Sequence, residues 1–160
     1  MTEDRLTIAA VGQTDVQIIR DFAAPVDRVW KAMTDPALIP QWLGAHWPMT
    51  LCRQDFRIGG TLRWEWSDPD GDGRMGLSGR YIEIAAPRRL VHTEIFDEDW
   101  TGGEAVVTMV FAEIPGGTRM TMHIRYASRE ARDAVLRTPM ADGMEAGYRM
   151  LDAMLAMPAA

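Results

Sequence analysis

The sequence predicts an α+β fold in which a curved antiparallel sheet of about six or seven strands is closed over an apolar pocket by a long C-terminal helix. Three observations predict it. A β-branched N-terminal stretch, Leu6 to Phe22, is followed by two short helical segments. The middle of the chain is a series of strand-like runs separated by hairpin-length turns. From Ser128 to about Met157 the apolar residues recur at helical spacing.

In the first stretch Val16, Ile18 and Arg20 alternate with Gln17, Ile19 and Asp21, the pattern of a strand with one wet face. Gly12-Gln13-Thr14-Asp15 interrupts it, as a bulge or as a hairpin turn. Pro25 ends the strand and suits the first turn of a helix, with Asp27 near its positive end. Val26, Val29, Trp30 and Met33 give that helix its apolar face. Asp35-Pro36 predicts the cap and first residue of a second helix. Leu38, Ile39, Trp42 and Leu43 form its apolar side, and Gly44 closes it.

Strands are then expected at Thr50-Asp55, Thr61-Ser67, Met75-Ile84, Arg89-Phe96, Glu104-Glu113 and Thr118-Tyr126. Between them lie the turns Arg57-Ile58-Gly59-Gly60, Asp68 to Gly73, Ala86-Pro87, Trp100 to Gly103 and Pro115-Gly116-Gly117. In the last segment Ser128 is the cap, and Thr138-Pro139 kinks or breaks the helix. Met140, Met144, Tyr148, Leu151 and Leu155 form one stripe. Gly143 and Gly147 align one turn apart, marking either a close approach to that backbone or ordinary helix-on-sheet packing.

Composition bounds the function. The 160 residues suit one domain with a sizeable core, without an internal repeat or an interdomain linker. The composition, 47% apolar and 25% charged, is that of a globular chain. No apolar run is long enough to span a bilayer. Met1 to Arg5 is acidic and polar, not a secretory signal peptide, so a cytoplasmic location is expected. A net charge of −6, with 17 Lys and Arg scattered among 23 Asp and Glu, argues against nucleic acid as a partner. The lone cysteine, Cys52, excludes an intrachain disulfide and reads as a buried, inert thiol.

Several motifs carry a family resemblance. Asp21-Phe22-Ala23-Ala24-Pro25-Val26 through Val29-Trp30 to Thr34-Asp35-Pro36 resembles the opening of the family named after the activator of Hsp90 ATPase. Gln41-Trp42-Leu43-Gly44, Phe56-Arg57-Ile58-Gly59-Gly60 and Pro87-Arg88-Arg89-Leu90-Val91 resemble its second helix, its Gly-Gly hairpin and the start of a middle strand. Met140 to Tyr148 resembles its final helix, where the position of Tyr148 is often Trp. The resemblance covers roughly residues 16–156. It implies the helix-grip fold of the START and Bet v 1-like superfamily, with a cavity between sheet and helix. It implies no single activity, because function is set by the site rather than the fold.

The residues that would line such a cavity follow from alternation. Leu62, Trp64 and Trp66 share one strand face, with Arg63 and Glu65 on the other. They line the pocket or fill the core. Met75, Leu77, Tyr81, Met109, Phe111, Met120 and Met122 are further candidates, together with Trp42, Met144 and Tyr148 from the helices. Twelve methionines suit an adaptable apolar pocket, and equally a repacked core. His92 and Glu94 share a strand face at roughly 7 Å, a loose spacing for a catalytic pair and usual on a solvated face. His46 falls near the expected mouth and His123 in the last strand.

No metal site is expected. There are no paired cysteines and no His-x-x-His or His-x-x-x-His. Asp68-Pro69-Asp70-Gly71-Asp72 has calcium-loop composition, but position twelve is Gly79 rather than glutamate, so a polar turn is expected. No catalytic motif and no cofactor site are apparent. Three functions remain open: a binding protein for a small apolar or amphipathic ligand, an enzyme of polyketide cyclase or aromatase type using the same cavity, and a co-chaperone-like module with an Hsp90-type ATPase as partner. Edge-strand pairing also makes a homodimer an expectation.

Overall fold

The computed structural model describes residues 5–98 and 102–158. The expected turn at Trp100 to Gly103 and the N-terminal acidic stretch therefore lie partly outside the described residues. The strands are β1 (Thr7–Val11), β2 (Asp15–Phe22), β3 (Met49–Gln54), β4 (Thr61–Ser67), β5 (Arg74–Ala85), β6 (Arg89–Phe96), β7 (Ala105–Ile114) and β8 (Gly117–Arg125). The helices are α1 (Val26–Thr34), α2 (Pro40–Leu43), α3 (Arg129–Leu136) and α4 (Met140–Ala156).

All strands belong to one antiparallel sheet of order β1-β2-β8-β7-β6-β5-β4-β3. The strand count among the described residues is eight rather than six or seven. Gly12, at φ 59°, turns the N-terminal stretch into a β1–β2 hairpin, so that stretch supplies two strands. Strands β3 to β8 form a consecutive meander, and β2 closes against β8. The α1–α2 segment connects β2 to β3, carrying the chain from one side of the sheet toward its far edge.

The second helix starts later than the Asp35-Pro36 signal predicts. Asp35 does cap a turn, its side chain accepting from the Ala37 amide at 2.9 Å. Pro36–Ile39 then form turns, and α2 itself begins at Pro40. The C-terminal segment breaks at Thr138-Pro139. Ser128 caps α3, accepting from the Ala131 amide at 3.0 Å, and α4 starts after Pro139.

Strand register sorts the residues into two faces. Val16, Ile18, Arg20 and Phe22 of β2 face inward beside Ile124, Met122, Met120 and Thr118 of β8. Val107, Met109 and Phe111 of β7 continue the row, and all but Arg20, Thr118 and the half-buried Met122 belong to the apolar core. Helix α4 packs on α2, where Gly147 permits the approach: a β-carbon there would lie 2.9 Å from the Trp42 carbonyl oxygen. Trp42 stacks on Tyr148 at 5.9 Å. Gly143 has no such neighbour.

Arg20, only 1% exposed, ties α4 to the sheet. Its guanidinium donates to Glu145 at 3.1 and 3.0 Å, to Asp152 at 3.2 and 2.7 Å, and to the Asp21 carbonyl at 2.8 Å. Phe22 lies under it at 5.0 Å. Burial opposes the charged Glu145 carboxylate. The hydrogen bonds from Arg20 and the Leu6 amide outweigh it and hold the group below its usual pKa. The arrangement satisfies both charges, the condition under which a buried ion pair is tolerated.

Among the described residues, no helix is long and apolar enough to cross a membrane.

Candidate functional site

The inward face of β3 to β6 differs from the apolar row on β2, β8 and β7. Register places Leu62, Trp64 and Trp66 of β4 beside Gly79, Leu77 and Met75 of β5. On β6, His92 pairs with Tyr81 of β5 and Val107 of β7. On β3, Cys52 pairs with Trp64, and Gln54 with Leu62. This half of the sheet therefore presents aromatic rings interleaved with a few polar groups.

The indoles are anchored by hydrogen bonds. Trp66 donates to the Leu43 carbonyl at 3.2 Å, at the end of α2, and Trp42 to the Ala32 carbonyl at 2.9 Å. Trp64 donates to the Gln54 side chain at 3.2 Å, and Gln54 in turn donates to the Thr34 carbonyl at 2.8 Å. Tyr81 meets Phe56 edge-on at 5.0 Å, and Phe56 meets Trp30 at 6.3 Å. Such a chain of held rings gives rigid apolar walls.

His92 and Glu94 are closer than their strand spacing suggests. The His92 Nε2 and a Glu94 carboxylate oxygen are 2.8 Å apart, because the two side chains lean toward each other along the strand. Nor is His92 solvated: it is 4% exposed, while Glu94 is half-buried. Its ring lies 6.4 Å from Trp64 and 6.2 Å from Tyr81. Among the described residues, His92 Nδ1 is the one buried side-chain nitrogen or oxygen without a hydrogen-bond partner.

The remaining candidates divide by burial. Trp42, Leu62, Trp66, Leu77, Tyr81, Met109, Phe111, Met120 and Tyr148 are buried. Trp64, Met122 and Met144 are half-buried against that core, as is Glu94, although Trp64, Met122 and Glu94 stand on the inward rows. Met75, at the end of its row, is 36% exposed. With Trp66 it borders a cleft of about 420 Å³ that also involves Trp47, Arg63 and Asp97. A second cleft, about 670 Å³, lies at Pro25, Pro87, Arg88 and Glu113.

Burial pushes the Tyr81 phenol well above its usual range. It does the same to Tyr126, with the Glu94 charge adding to the effect. Both phenols are thus neutral hydroxyl groups at any working pH. Burial, then the nearby Asp35 charge, pushes the Cys52 thiol up to about 11, which keeps it protonated and unreactive. Gln54 and Cys52 are site residues that the sequence reading missed. Period-two alternation in β3 would have placed both inward once the sheet order was known.

The other histidines lie elsewhere. His46 is exposed and stacks on Trp47 at 6.2 Å. His123 is partly exposed and pairs with Asp15. No group of three His, Cys, Asp or Glu side chains among the described residues is arranged to hold a metal ion. Asp68 to Gly73 forms a turn in which Asp68 accepts from the Asp70 amide.

Residues 23–156 match the family model described as Activator of Hsp90 ATPase homolog 1-like protein. Solved structures with the same fold include a protein from Rhodobacter sphaeroides at 45% identity and TM-score 0.90, the match covering 96% of this chain and 99% of that one. A protein from Arthrobacter aurescens is 27% identical at TM-score 0.83, with 96% and 92% covered. One from Mycobacterium smegmatis is 27% identical at TM-score 0.79, with 96% and 100% covered. Among curated proteins there is no match.

Proposed function

The chain belongs to the Activator of Hsp90 ATPase homolog 1-like protein family, and on that premise we propose that it binds a small apolar or amphipathic molecule between the inward face of the sheet and helix α4. The observation that carries this reading is the incomplete burial of inward-facing groups. Trp64, Glu94 and Met122 stand on rows that point into the fold, yet each keeps solvent contact. A sealed core would cover them, because close-packed interiors leave few voids. The lining supports a ligand with an apolar body. Rings supply flat contact area, and the thioethers of Met122 and Met144 adapt to its outline.

Native mass spectrometry of the purified protein tests the reading. The expected spectrum contains a defined extra mass that disappears on denaturation, or acquires one on incubation with a mixture of small aromatic compounds. A bare mass under both conditions would contradict it.

One observation favours a second reading, an enzyme of cyclase type. A carboxylate that accepts from one imidazole nitrogen orients the ring and raises the basicity of the other. The His92–Glu94 pair has that geometry at 2.8 Å. An imidazole held in this way could remove a proton from a ligand lodged against it. Turnover of a carbonyl-bearing aromatic substrate that His92→Phe abolishes would support this second reading. Binding without turnover would leave the first.

A further inference from the structure

His92 is the group that an apolar lining leaves unexplained. Its ring is buried, and its Nε2 is committed to Glu94. A carboxylate only accepts hydrogen bonds, so Nε2 donates in this pair, and a ring that carries this single proton has its lone pair at Nδ1. That lone pair has no partner among the described residues. A buried acceptor without a donor is destabilising, so a donor from outside the chain gains more here than at an exposed site.

The surroundings narrow what that donor is. The nearby formal charge is the negative Glu94 carboxylate, whose field reaches the phenols of Tyr126 and Tyr148. The cation on the described inward rows is Arg20, and its guanidinium is already shared between Glu145 and Asp152. A ligand carboxylate would therefore meet an acceptor lone pair and a like charge, with no free cation on those described rows to offset its desolvation. A ligand ammonium would lose its hydration while Glu94 stays engaged with His92. A hydroxyl group donates one hydrogen bond and brings no charge.

Resting on the ligand-binding reading above, we propose that the ligand presents a hydroxyl group to His92 Nδ1, and that the site selects hydroxylated aromatic molecules over carboxylates of the same size. The walls at Trp64 and Tyr81 take the ring system, and the His92–Glu94 pair reads its polar end.

Isothermal titration calorimetry with three probes of one ring size tests this: 2-naphthol, 2-methoxynaphthalene and 2-naphthoate. The expected order is 2-naphthol tightest, about tenfold ahead of 2-methoxynaphthalene, the worth of one buried hydrogen bond. 2-Naphthoate is expected last. In His92→Phe, which keeps an aromatic ring but removes the lone pair, the preference for 2-naphthol over 2-methoxynaphthalene disappears. Equal affinity of these two for the unaltered protein, or tighter binding of 2-naphthoate, overturns the proposal and leaves the ligand-binding reading standing. Failure of all three to bind overturns both.

A measurement on the unaltered protein does not depend on the folding of a variant. Long-range ¹H–¹⁵N correlation of the histidine rings is expected to show His92 protonated at Nε2 and bare at Nδ1. The Nδ1 resonance is expected to move on addition of 2-naphthol and to stay in place with 2-methoxynaphthalene. A proton on Nδ1 in the free protein, or an unmoved resonance with 2-naphthol bound, overturns the proposal.

Discussion

Arg20 occupies a position that period-two alternation assigns to the apolar row, between Ile18 and Phe22. The strand alone offers no reason for an arginine there. The reason lies on α4, where Glu145 and Asp152, two turns apart, face the guanidinium together. Arg20→Met would leave the Glu145 carboxylate, 6% exposed, without its main partner. A loss of about 3–5 kcal/mol is expected, measured by urea denaturation. A loss below about 1 kcal/mol would show that the clamp does not hold α4.

Acid should act on the same residues. Glu145 and Asp15 both titrate lower in the folded protein than in the unfolded chain. For each, burial pulls the other way and hydrogen bonds prevail: Arg20 and Leu6 for Glu145, and Thr14, His123 and Arg125 for Asp15. The stability they contribute is full above their ordinary values of 4.5 and 3.8, and is lost as pH falls through the lower folded values. The melting temperature is therefore expected to hold from neutral pH to about 5 and to fall below about 4. A melting temperature unchanged down to pH 3 would contradict this account.

At the scale of elements, the α2–α4 contact separates two glycines that look alike in sequence. Gly147→Ala would push a methyl group to 2.9 Å from the Trp42 carbonyl oxygen, so a loss of about 1–3 kcal/mol is expected. Gly143→Ala meets nothing within 4 Å and lies on an exposed helical position, so a gain of about 0.5–1 kcal/mol is expected. Thermal melts of the two variants should shift in opposite directions.

Much of this level was legible in the sequence. Thr61–Ser67 and Arg89–Phe96 match their predicted bounds: Gly59-Gly60 and the Asp68 to Gly73 turn bound the first on both sides, and Ala86-Pro87 precedes the second. The start of α2 was not legible. Asp35-Pro36 has the chemistry of a helix cap, yet it begins a series of turns, and a second proline four residues on begins the helix. Local signals do not distinguish a capped turn from a capped helix.

Across the whole molecule, the family and the curved antiparallel sheet were readable from motif order, and the chemistry of the interior was readable only in part. Alternation put Trp64 and Trp66 on one face, and His92 and Glu94 on one face. It could not show that the His92 and Glu94 side chains lean together to 2.8 Å, because that depends on rotamers chosen in the packed interior. Nor could it show Gln54 linking Trp64 to Thr34, since the three residues lie on three different elements. Pairings between distant segments are set by the register of the folded sheet.

The central claim is that a ligand lodges against the inward face rather than in a surface cleft. Methionine-methyl NMR reads this directly, because the methyl groups sample both regions. With ¹³C-methyl-labelled protein and 2-naphthol as the probe, the Met122 and Met144 resonances are expected to shift, with a smaller effect at the buried Met109 beside Met122. Met150 and Met157, both on the exposed surface, are expected to stay in place. Shifts confined to Met75, which borders the cleft at Trp66, would move the site outside the fold and contradict the account.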